Sequence, residues 1–486
     1  MTDSTGVVFP AVQGRRSTSA TGRAVVADAL RGVDPIGAAA TEREVNWRRD
    51  YIVPFRRLVE AGLPSADAAL TIARDGLASV HSRMQWGDPD AADRPLAEAF
   101  GLPAAATITD EVVGSAEPER ELSVPYQGER LRGERLLRQV DAWIEAGVAE
   151  PSLAPAVAAV IANPDWLALP GTTVVVLGAA AEMGPLRSLL RWGATVAAVD
   201  LPRPGMWEGI LADAATSAGR LLVPATPGSD RPLHERAGGD LIHDLATVAA
   251  WVDSLEGSLV LGNYVYADGA TNVRVSVAVD ALTQHICRQR AADEIAMTFL
   301  ATPTDIFAVP GEAVEASVAA YANRRISKAL RGPLRTISGG RLLRRNYVPG
   351  EDPGINDSVV TQQGPNYLLA KRIQRWRAAA ARADGANVSF HIAPPTRTRS
   401  VVKNRALAAA YAGAHRFGIE VFEPGTSNTL MAALLVHDIM TGPRGSLGHP
   451  WLDEADAAVH GGLWRTAYDP RSALGLAALL GMGASR

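Results

Sequence analysis

The chain has 486 residues, 47% of them hydrophobic, which is more apolar material than one core usually holds, so we expect two or three domains. A net charge of −4 argues against a nucleic-acid partner, and no apolar run reaches the roughly 18 residues of a membrane span. The single cysteine, Cys287, excludes a disulfide framework and a cysteine-rich metal site, and the first residues lack a signal-peptide pattern, which predicts a cytoplasmic protein without bound metal.

The first 170 residues carry two kinds of pattern. Residues 1–25 are rich in Ser, Thr and Gly without apolar periodicity, and we expect them to be disordered. Residues 26–170 are expected to form a helical N-terminal region, because apolar residues recur there at helical spacing in three stretches. Those stretches are Asp50–Gly62, Ala66–Trp86 and Glu129–Gly147.

The pattern changes at Gly171, where short apolar runs begin to alternate with helical stretches. This alternation predicts an α/β fold with a doubly wound parallel sheet, whose strands are joined by right-handed crossovers. The α/β domain should span residues 171–430, and residues 431–486 are expected to form a helical C-terminal extension. The predicted strands are Thr173–Leu177, Thr195–Val199, Arg220–Val223, Ser258–Leu261, Ala296–Ala301 and Asn387–Ala393.

A glycine-bounded turn follows the first predicted strand. Its sequence, GAAAEMG, runs from Gly178 to Gly184, and a helix is predicted at Pro185–Trp192. In such a strand–turn–helix unit the first glycine makes the turn, the last allows close packing, and backbone N–H groups face a pyrophosphate. The turn therefore predicts a dinucleotide site of the Rossmann type, with Gly178, Ala180, Met183 and Gly184 binding the cofactor. The alternative is a tight turn in an α/β protein that binds no nucleotide.

An acidic residue, Asp200, closes the second predicted strand. A carboxylate at this point accepts hydrogen bonds from the adenosine ribose hydroxyls and repels a 2′-phosphate, which favours NAD over NADP. Arg203 lies close by in the sequence and could reverse the preference, so NADP stays open. The alternative for Asp200 is an ordinary turn residue at a strand end.

A tyrosine and a lysine stand one helical turn apart in the segment that begins GPNYLLAK. Tyr367 and Lys371 share a helix face at this spacing. An ammonium beside a phenol stabilises the phenolate, so the tyrosine can exchange a proton with a carbonyl oxygen near neutral pH. The chain uses arginine for almost every other basic position, which favours a specific role for this lysine. The alternative is a surface helix in which Lys371 is one solvated charge beside Arg372, Arg375 and Arg377.

Residues 172 to about 430 resemble the short-chain dehydrogenase/reductase superfamily, in which the glycine turn, the Asp after the second strand and the Y-x-x-x-K helix occur in this order. The best stretch is Gly364–Ser400, where GPNYLLAKRIQRW and VSFHIAPPTRTRS are similar to the active-site helix, the next strand and the loop that covers the nicotinamide. The resemblance implies that Tyr367 donates the proton and that Lys371 holds the nicotinamide ribose.

The same resemblance implies four further cofactor contacts. Pro394 and Thr398 would contact the nicotinamide side, and Asn263, in the segment LVLGNY, would lie on the adenosine-ribose side. Asp240 would lie near the adenine. The family also suggests a homo-oligomer.

The sequence departs from the family at the substrate-orienting serine. That serine usually lies about a dozen residues before the tyrosine, whereas the hydroxyls available here are Thr302, Thr304, Ser338 and Ser358. The sequence does not choose among them, although Thr302 and Ser338 are the two we assign to the site. An insertion at about residues 305–360 separates the strand from the tyrosine helix.

The insertion is rich in arginine and has no acidic residue between positions 324 and 345. These cations could bind an anionic substrate such as a carboxylate or a carrier-linked acyl group, or they could be solvated or paired elsewhere in the fold. They are Arg324, Arg325, Lys328, Arg331, Arg335, Arg341, Arg344 and Arg345.

The sequence therefore predicts an NAD(P)-dependent oxidoreductase that acts on a small-molecule carbonyl or alcohol with a Tyr/Lys acid–base pair. Two alternatives stay open. The first is a non-catalytic dinucleotide-binding regulator or scaffold, and the second is an epimerase or dehydratase that retains its NAD.

Overall fold

The chain folds around a seven-stranded sheet in which six strands run parallel and one runs antiparallel. The computed structural model describes residues 4–228, 230–323 and 332–482. From edge to edge the strands are Asn387–Ile392, Ile295–Ala301, Ser258–Asn263, Thr172–Leu177, Thr195–Val199, Arg220–Ala225 and the antiparallel Ile108–Val113.

The six predicted strands are confirmed, and their order across the sheet defines a crevice. Numbered along the chain, the parallel strands lie in the order 3-2-1-4-5-6, which is compatible with a doubly wound dinucleotide-binding sheet. The order reverses between Thr172–Leu177 and Ser258–Asn263, and Leu177 pairs with Asn263 in register. Ligands of such sheets bind where the order reverses, at the carboxyl ends of the strands.

Helices cover both faces of the sheet, which is why the strands are continuously apolar. Val175 and Leu177 belong to one buried cluster, whereas Val174 and Val176 belong to the other. The first face is covered by Leu245–Asp253, Gly269–Gln289 and Gly364–Ala383. The second is covered by Gly133–Glu145, Leu153–Ala162, Leu186–Arg191, Pro204–Ala215 and Pro424–Thr441.

The N-terminal helices form a further layer outside the first face. Helix Ala66–Arg83 packs against Gly364–Ala383, and a Cβ on Gly76 would lie 2.5 Å from the Trp376 ring. Glycine at this position therefore lets the two helices approach closely. The helices of this layer are Thr18–Arg31, Pro35–Glu42, Trp47–Asp50, Ile52–Gly62 and Ala66–Arg83.

The expectation that residues 1–25 are disordered is wrong for the described residues 4–25. Strand Gly6–Val8 pairs antiparallel with Gln85–Gly87, the short strands Ala11–Val12 and Arg15–Arg16 pair with each other, and a helix begins at Thr18. The physical reason is a short buried segment: Val7 and Val8 are fully buried, and the buried Arg274 guanidinium donates to the carbonyl oxygen of Val7 at 2.5 Å.

The region 26–170 is less uniformly helical than predicted. Strand Ile108–Val113 joins the edge of the central sheet, and its largely exposed residues gave no apolar run to reveal it. The helix expected at Glu129–Gly147 begins instead at Gly133, because Glu129–Arg132 pairs with Ser123–Tyr126. The remaining elements here are Arg94–Pro95 and the short 3₁₀ helices Leu96–Gly101 and Pro164–Ala168.

The insertion and the C-terminal region pack together. Strands Ile306–Val309 and Gly354–Asp357 pair antiparallel, and helix Gly311–Asn323 lies between them in sequence. The expected boundary at residue 431 falls inside helix Pro424–Thr441 and is therefore wrong. The other elements are Leu233–Arg236, Thr361–Gln363, Arg399–Lys403, Arg405–Gly413, Ala414–Phe417, Pro450–Ala455 and Pro470–Met482. None of the described helices is long and apolar enough to cross a membrane.

A buried ion cluster joins the N-terminal layer to the first face. Arg377 donates to both Asp280 carboxylate oxygens at 2.8 Å, and His81 Nε2 lies 2.6 Å from the same carboxylate. Although burial alone would raise the pKa of Asp280, the charges and hydrogen bonds of Arg377 and His81 hold it below its usual range. The cluster therefore fixes helix Gly364–Ala383 to its neighbours.

Replacing Asp280 with Asn should lower the free energy of unfolding by about 3 kcal/mol, because the buried Arg377 guanidinium loses its counter-charge. Urea denaturation at pH 7 measures the loss. The exposed pair Arg138–Glu134 supplies a control, since Glu134→Gln should change stability by less than about 0.5 kcal/mol. Because the pKa of Asp280 is depressed in the folded state, its contribution is complete above about pH 4 and falls as the pH drops further. Equal losses of stability in Asp280→Asn and Glu134→Gln would contradict a stabilising role for the buried ion cluster.

Candidate functional site

The glycine turn follows the first parallel strand and contacts the ends of the two neighbouring strands. Gly178 has a φ of +91°, and its N–H and that of Ala179 donate to the Val199 carbonyl oxygen at 2.9 and 3.1 Å. A Cβ on Gly178 would lie 2.9 Å from the Tyr264 carbonyl carbon. Glycine is therefore required here both by backbone conformation and by the close approach of a second strand end.

The other residues of the turn differ in exposure. Ala180 is exposed, whereas Met183 is half-buried against the second-face cluster. Gly184 donates its N–H to the Ala181 carbonyl oxygen at 3.0 Å, so its close contact is within the turn rather than with the strand. The helix that follows is shorter than predicted and spans Leu186–Arg191.

Asp200 lies beside this turn. Its carboxylate accepts hydrogen bonds from the backbone N–H groups of Ala180 and Leu201, both at 2.8 Å. Burial raises the pKa of Asp200, while these hydrogen bonds and the charge of Arg203 lower it. The carboxylate thus lies at the carboxyl end of the second strand and next to the crevice, as the sequence predicts.

A charged contact across the turn was missed by the sequence analysis. The Glu182 carboxylate accepts a hydrogen bond from the Arg399 backbone N–H at 2.7 Å and pairs with the Arg399 side chain at 3.2 Å. Asn428 also donates to the Glu182 carbonyl oxygen at 3.2 Å. These contacts tie the glycine turn to the loop after strand Asn387–Ile392. No spacing rule connects residues more than 200 positions apart, so no sequence pattern could have indicated these contacts.

Tyr367 lies at the start of helix Gly364–Ala383, near the carboxyl ends of the central strands. It is half-buried, its hydroxyl lies close enough to Thr302 to interact with it, and its ring meets that of Tyr266 edge-on with centroids 6.2 Å apart. Burial raises the pKa of Tyr367 above its ordinary value, and the interaction with Thr302 lowers it. Tyr367 is therefore a protonated phenol at neutral pH.

Lys371 is directed toward the strand ends from the same helix. Its Nζ donates to the Leu300 carbonyl oxygen at 3.4 Å and to Gln374 Oε1 at 3.2 Å, and Gln374 in turn donates to Asn263 Oδ1 at 3.1 Å. Burial lowers the pKa of Lys371 to about 8, against a raising effect of Asp305. Lys371 is thus linked through one amide to the strand that pairs with the glycine-turn strand. No motif in the sequence singled out Gln374.

The structure separates the four candidate hydroxyls. Thr302 reaches Tyr367, and Thr304 lies one contact further away, with its Oγ1 2.9 Å from Thr302 Oγ1. Ser358 is buried and donates to Asn356 instead. Ser338 caps a turn of the insertion, where it donates to the Arg335 carbonyl oxygen and accepts from Leu342 N–H. Thr302 is therefore brought to Tyr367, and the contacts of Ser338 are local.

The alternative of a solvated surface helix is wrong. Arg372 and Arg375 are buried and pair with the Asp305 carboxylate at 3.3 and 2.9 Å. Arg375 also donates to both oxygens of Glu454 at 2.7 and 2.6 Å. The helix that carries Tyr367 and Lys371 is therefore an internal element held by buried charges.

The remaining predicted cofactor residues lie around the same edge of the sheet. Asp240 accepts from Ile242 N–H at 2.8 Å and follows Gly239, whose N–H donates to the Asp200 carbonyl oxygen at 2.9 Å. Pro394 is buried directly after strand Asn387–Ile392, and its carbonyl oxygen accepts from Thr396 Oγ1 at 2.8 Å. Thr398 precedes the helix that begins at Arg399 and lies 2.9 Å from Ser400 Oγ.

The described arginines of the insertion make their contacts away from Tyr367. Arg335 donates to the Tyr321 hydroxyl at 3.3 Å, Arg344 pairs with Asp469 at 2.7 Å, and Arg345 lies over the Tyr321 ring. Arg341 is exposed. Four of the predicted cations lie outside the described residues: Arg324, Arg325, Lys328 and Arg331.

No protein-family model matches the chain, and no curated protein sequence is detectably similar to it. Within the described residues, no group of three or more His, Cys, Asp or Glu side chains could hold a metal ion. The geometry of the crevice is therefore the main indication of function.

Replacing Gly178 with Ala should lower the free energy of unfolding by about 2 kcal/mol or more, because the added Cβ meets the Tyr264 backbone and the φ is unfavourable for alanine. Urea denaturation is the measurement. Gly205→Ala is the control, since nothing lies within 4 Å of a Cβ there and the residue is in helix Pro204–Ala215. If the control lost as much stability as Gly178→Ala, the close approach would be disproved.

Proposed function

We propose that this protein is an NAD(P)-dependent oxidoreductase of the short-chain dehydrogenase/reductase type that interconverts a carbonyl compound and an alcohol. The observation that carries the proposal is the meeting of Tyr367 with Thr302, with Lys371 one turn along the same helix, beside the crevice where the strand order reverses. Two separate parts of the sequence meet there, the strand end at Thr302 and the helix that carries Tyr367 and Lys371.

The chain's own groups suit the proton side of this reaction. A bound reduced nicotinamide supplies a hydride to a carbonyl carbon. Tyr367, protonated at neutral pH, donates its phenolic proton to the carbonyl oxygen, so an alcohol forms. Thr302 hydrogen-bonds the same oxygen and orients it. The Lys371 ammonium, with a pKa of about 8, would stabilise the phenolate left on Tyr367 until solvent returns a proton to it.

The residues around the crevice fit a dinucleotide. The turn around Gly178 has a small side chain at Ala180 and none at Gly184, so no bulky group blocks its approach, and the Ala180 N–H is held by Asp200. Asp200 would accept the adenosine ribose hydroxyls, which supports NAD over NADP. Arg399 supplies a cation for the pyrophosphate beside the turn, and Asn263 would lie along the ribose. The homo-oligomer suggested by the family stays a prediction.

One observation favours a second candidate, a dinucleotide-binding regulator without catalysis. The Glu182 carboxylate lies in the turn where a pyrophosphate would bring negative charge, and it already holds Arg399. A protein that binds the nucleotide weakly as a signal would tolerate this repulsion better than an enzyme. Titration with NADH together with a panel of carbonyl compounds separates the candidates, because binding without oxidation of NADH identifies the regulator.

Replacing Tyr367 with Phe should lower kcat by about 10²–10⁴-fold while NADH still binds, because only the proton donor is lost. The loss of NADH absorbance at about 340 nm measures turnover, and fluorescence titration measures NADH binding. Ser338→Ala is the matched control and should turn over as the wild type does, since its hydrogen bonds are local. Full turnover by Tyr367→Phe would show that Tyr367 is not the proton donor.

The pH dependence should report Lys371. Because its pKa is about 8 and its charged form is the active one, kcat/KM for reduction should be constant below pH 7 and fall as the pH rises through about 8. Lys371→Arg should be slower but should lack this decline, since arginine stays charged. If the wild type and Lys371→Arg showed the same decline in kcat/KM, the decline would come from a group other than Lys371.

A further inference from the structure

A mostly apolar cavity is lined by Thr304 and Tyr411, which connect it to Thr302 and Tyr367. Its lining surrounds about 640 Å³ of space, part of which is open to solvent. Its walls come from the strand ends at Thr304 and Pro395, from helix Arg405–Gly413 and from helix Pro470–Met482. Apolar side chains such as Val360, Phe417 and Leu474 form most of the lining.

The cavity leads to the reacting groups. The Oγ1 of Thr304, which lines it, lies 2.9 Å from Thr302 Oγ1, and Thr302 interacts with Tyr367. Tyr411 also lines it and is close enough to Tyr367 to raise its pKa electrostatically. A molecule in the cavity therefore contacts Thr304 and Tyr411, the neighbours of Thr302 and Tyr367, while its body contacts the apolar walls.

The cavity offers no unpaired charge to a ligand among the described residues. Its one cationic lining residue, Arg471, is paired with Asp357 at 2.7 Å. The Ser358 and Thr466 hydroxyls donate to Asn356 and to the Phe417 carbonyl oxygen, respectively. A carboxylate or phosphate in the cavity would lose its hydration without gaining a counter-charge, which costs several kcal/mol.

Tyr411 is different from these groups. It is half-buried, burial alone accounts for the rise of its pKa to about 12, and no described residue hydrogen-bonds its hydroxyl. A phenol in this position, with a free O–H inside an apolar wall, is suited to donate to a neutral oxygen of a ligand.

We propose that the substrate is an uncharged, largely apolar ketone or secondary alcohol that lies in this cavity, and that Tyr411 is a substrate-contacting specificity residue. This inference rests on the proposed oxidoreductase function. It differs from the anionic or carrier-linked substrate that the arginine-rich insertion suggests, because the described arginines make their contacts elsewhere.

The test compares cyclohexyl phenyl ketone with its para-carboxylate derivative, each titrated into the full chain by calorimetry with and without NADH. The neutral ketone should bind at least about tenfold more tightly than the carboxylate, because only the carboxylate must be desolvated without a partner.

Ala410→Leu, which fills the cavity wall, should weaken ketone binding at least about tenfold. Ala412→Leu on the exposed side of the same helix is the control and should bind as the wild type does. Tyr411→Phe, which keeps the ring, should weaken binding about fivefold through one lost hydrogen bond.

The outcomes separate the two proposals. Tighter binding of the carboxylate, no binding of the neutral ketone, or ketone binding that is unchanged in both Ala410→Leu and Tyr411→Phe overturns the substrate assignment. NADH oxidation with charged substrates only also overturns it, and leaves the oxidoreductase proposal intact. Selective ketone binding that both variants weaken, in a protein that never oxidises NADH, supports the cavity assignment and defeats the proposed function instead.

Discussion

The arrangement of the site depends on buried carboxylates that hold one helix against the sheet. Asp305 binds Arg372 and Arg375, and Asp280 binds Arg377, so three basic residues of helix Gly364–Ala383 are neutralised inside the protein. Removing either carboxylate would leave a guanidinium buried without a partner, which is strongly unfavourable. The helix therefore cannot slide or rotate without breaking these pairs, and Tyr367 and Lys371 keep their positions.

Asp305 also connects this constraint to Thr302. It lies three residues after Thr302, so the carboxylate that holds the helix also fixes the strand end that reaches Tyr367. The strand that follows, Ile306–Val309, begins the insertion and pairs with Gly354–Asp357, which brings Ser358 and Val359 to the cavity wall. The insertion thus builds the walls of the cavity rather than only extending the surface.

The elements that depend on local pattern could be predicted from the sequence. The six parallel strands have continuous apolar runs because both of their faces are buried, and Tyr367 and Lys371 share a face because of helical spacing. The conformation of Gly178 followed from the need for a turn at a strand end. By contrast, the short buried segment around Val7 was too brief to stand out from its polar neighbours, and strand Ile108–Val113 is largely exposed at the sheet edge.

What could not be predicted depends on contacts between distant residues. The choice of Thr302 over Ser338 follows from where the insertion leaves and rejoins the sheet, and the Glu182–Arg399 pair joins residues that no local rule relates. The burial of Arg372 and Arg375 was also hidden, because arginine on a helix ordinarily indicates a solvated face. Only their partners, Asp305 and Glu454, show that they are internal.

The central claim is that the crevice between Gly178 and Asn263 brings a nicotinamide beside Tyr367. A crystal structure of the full chain grown with NADH tests it most directly. We expect the adenosine ribose at Asp200 and the nicotinamide ring between Tyr367 and Pro394, with the Thr302 and Tyr367 hydroxyls facing its reactive carbon. A cofactor bound elsewhere, or a ring turned away from Tyr367, would contradict the account.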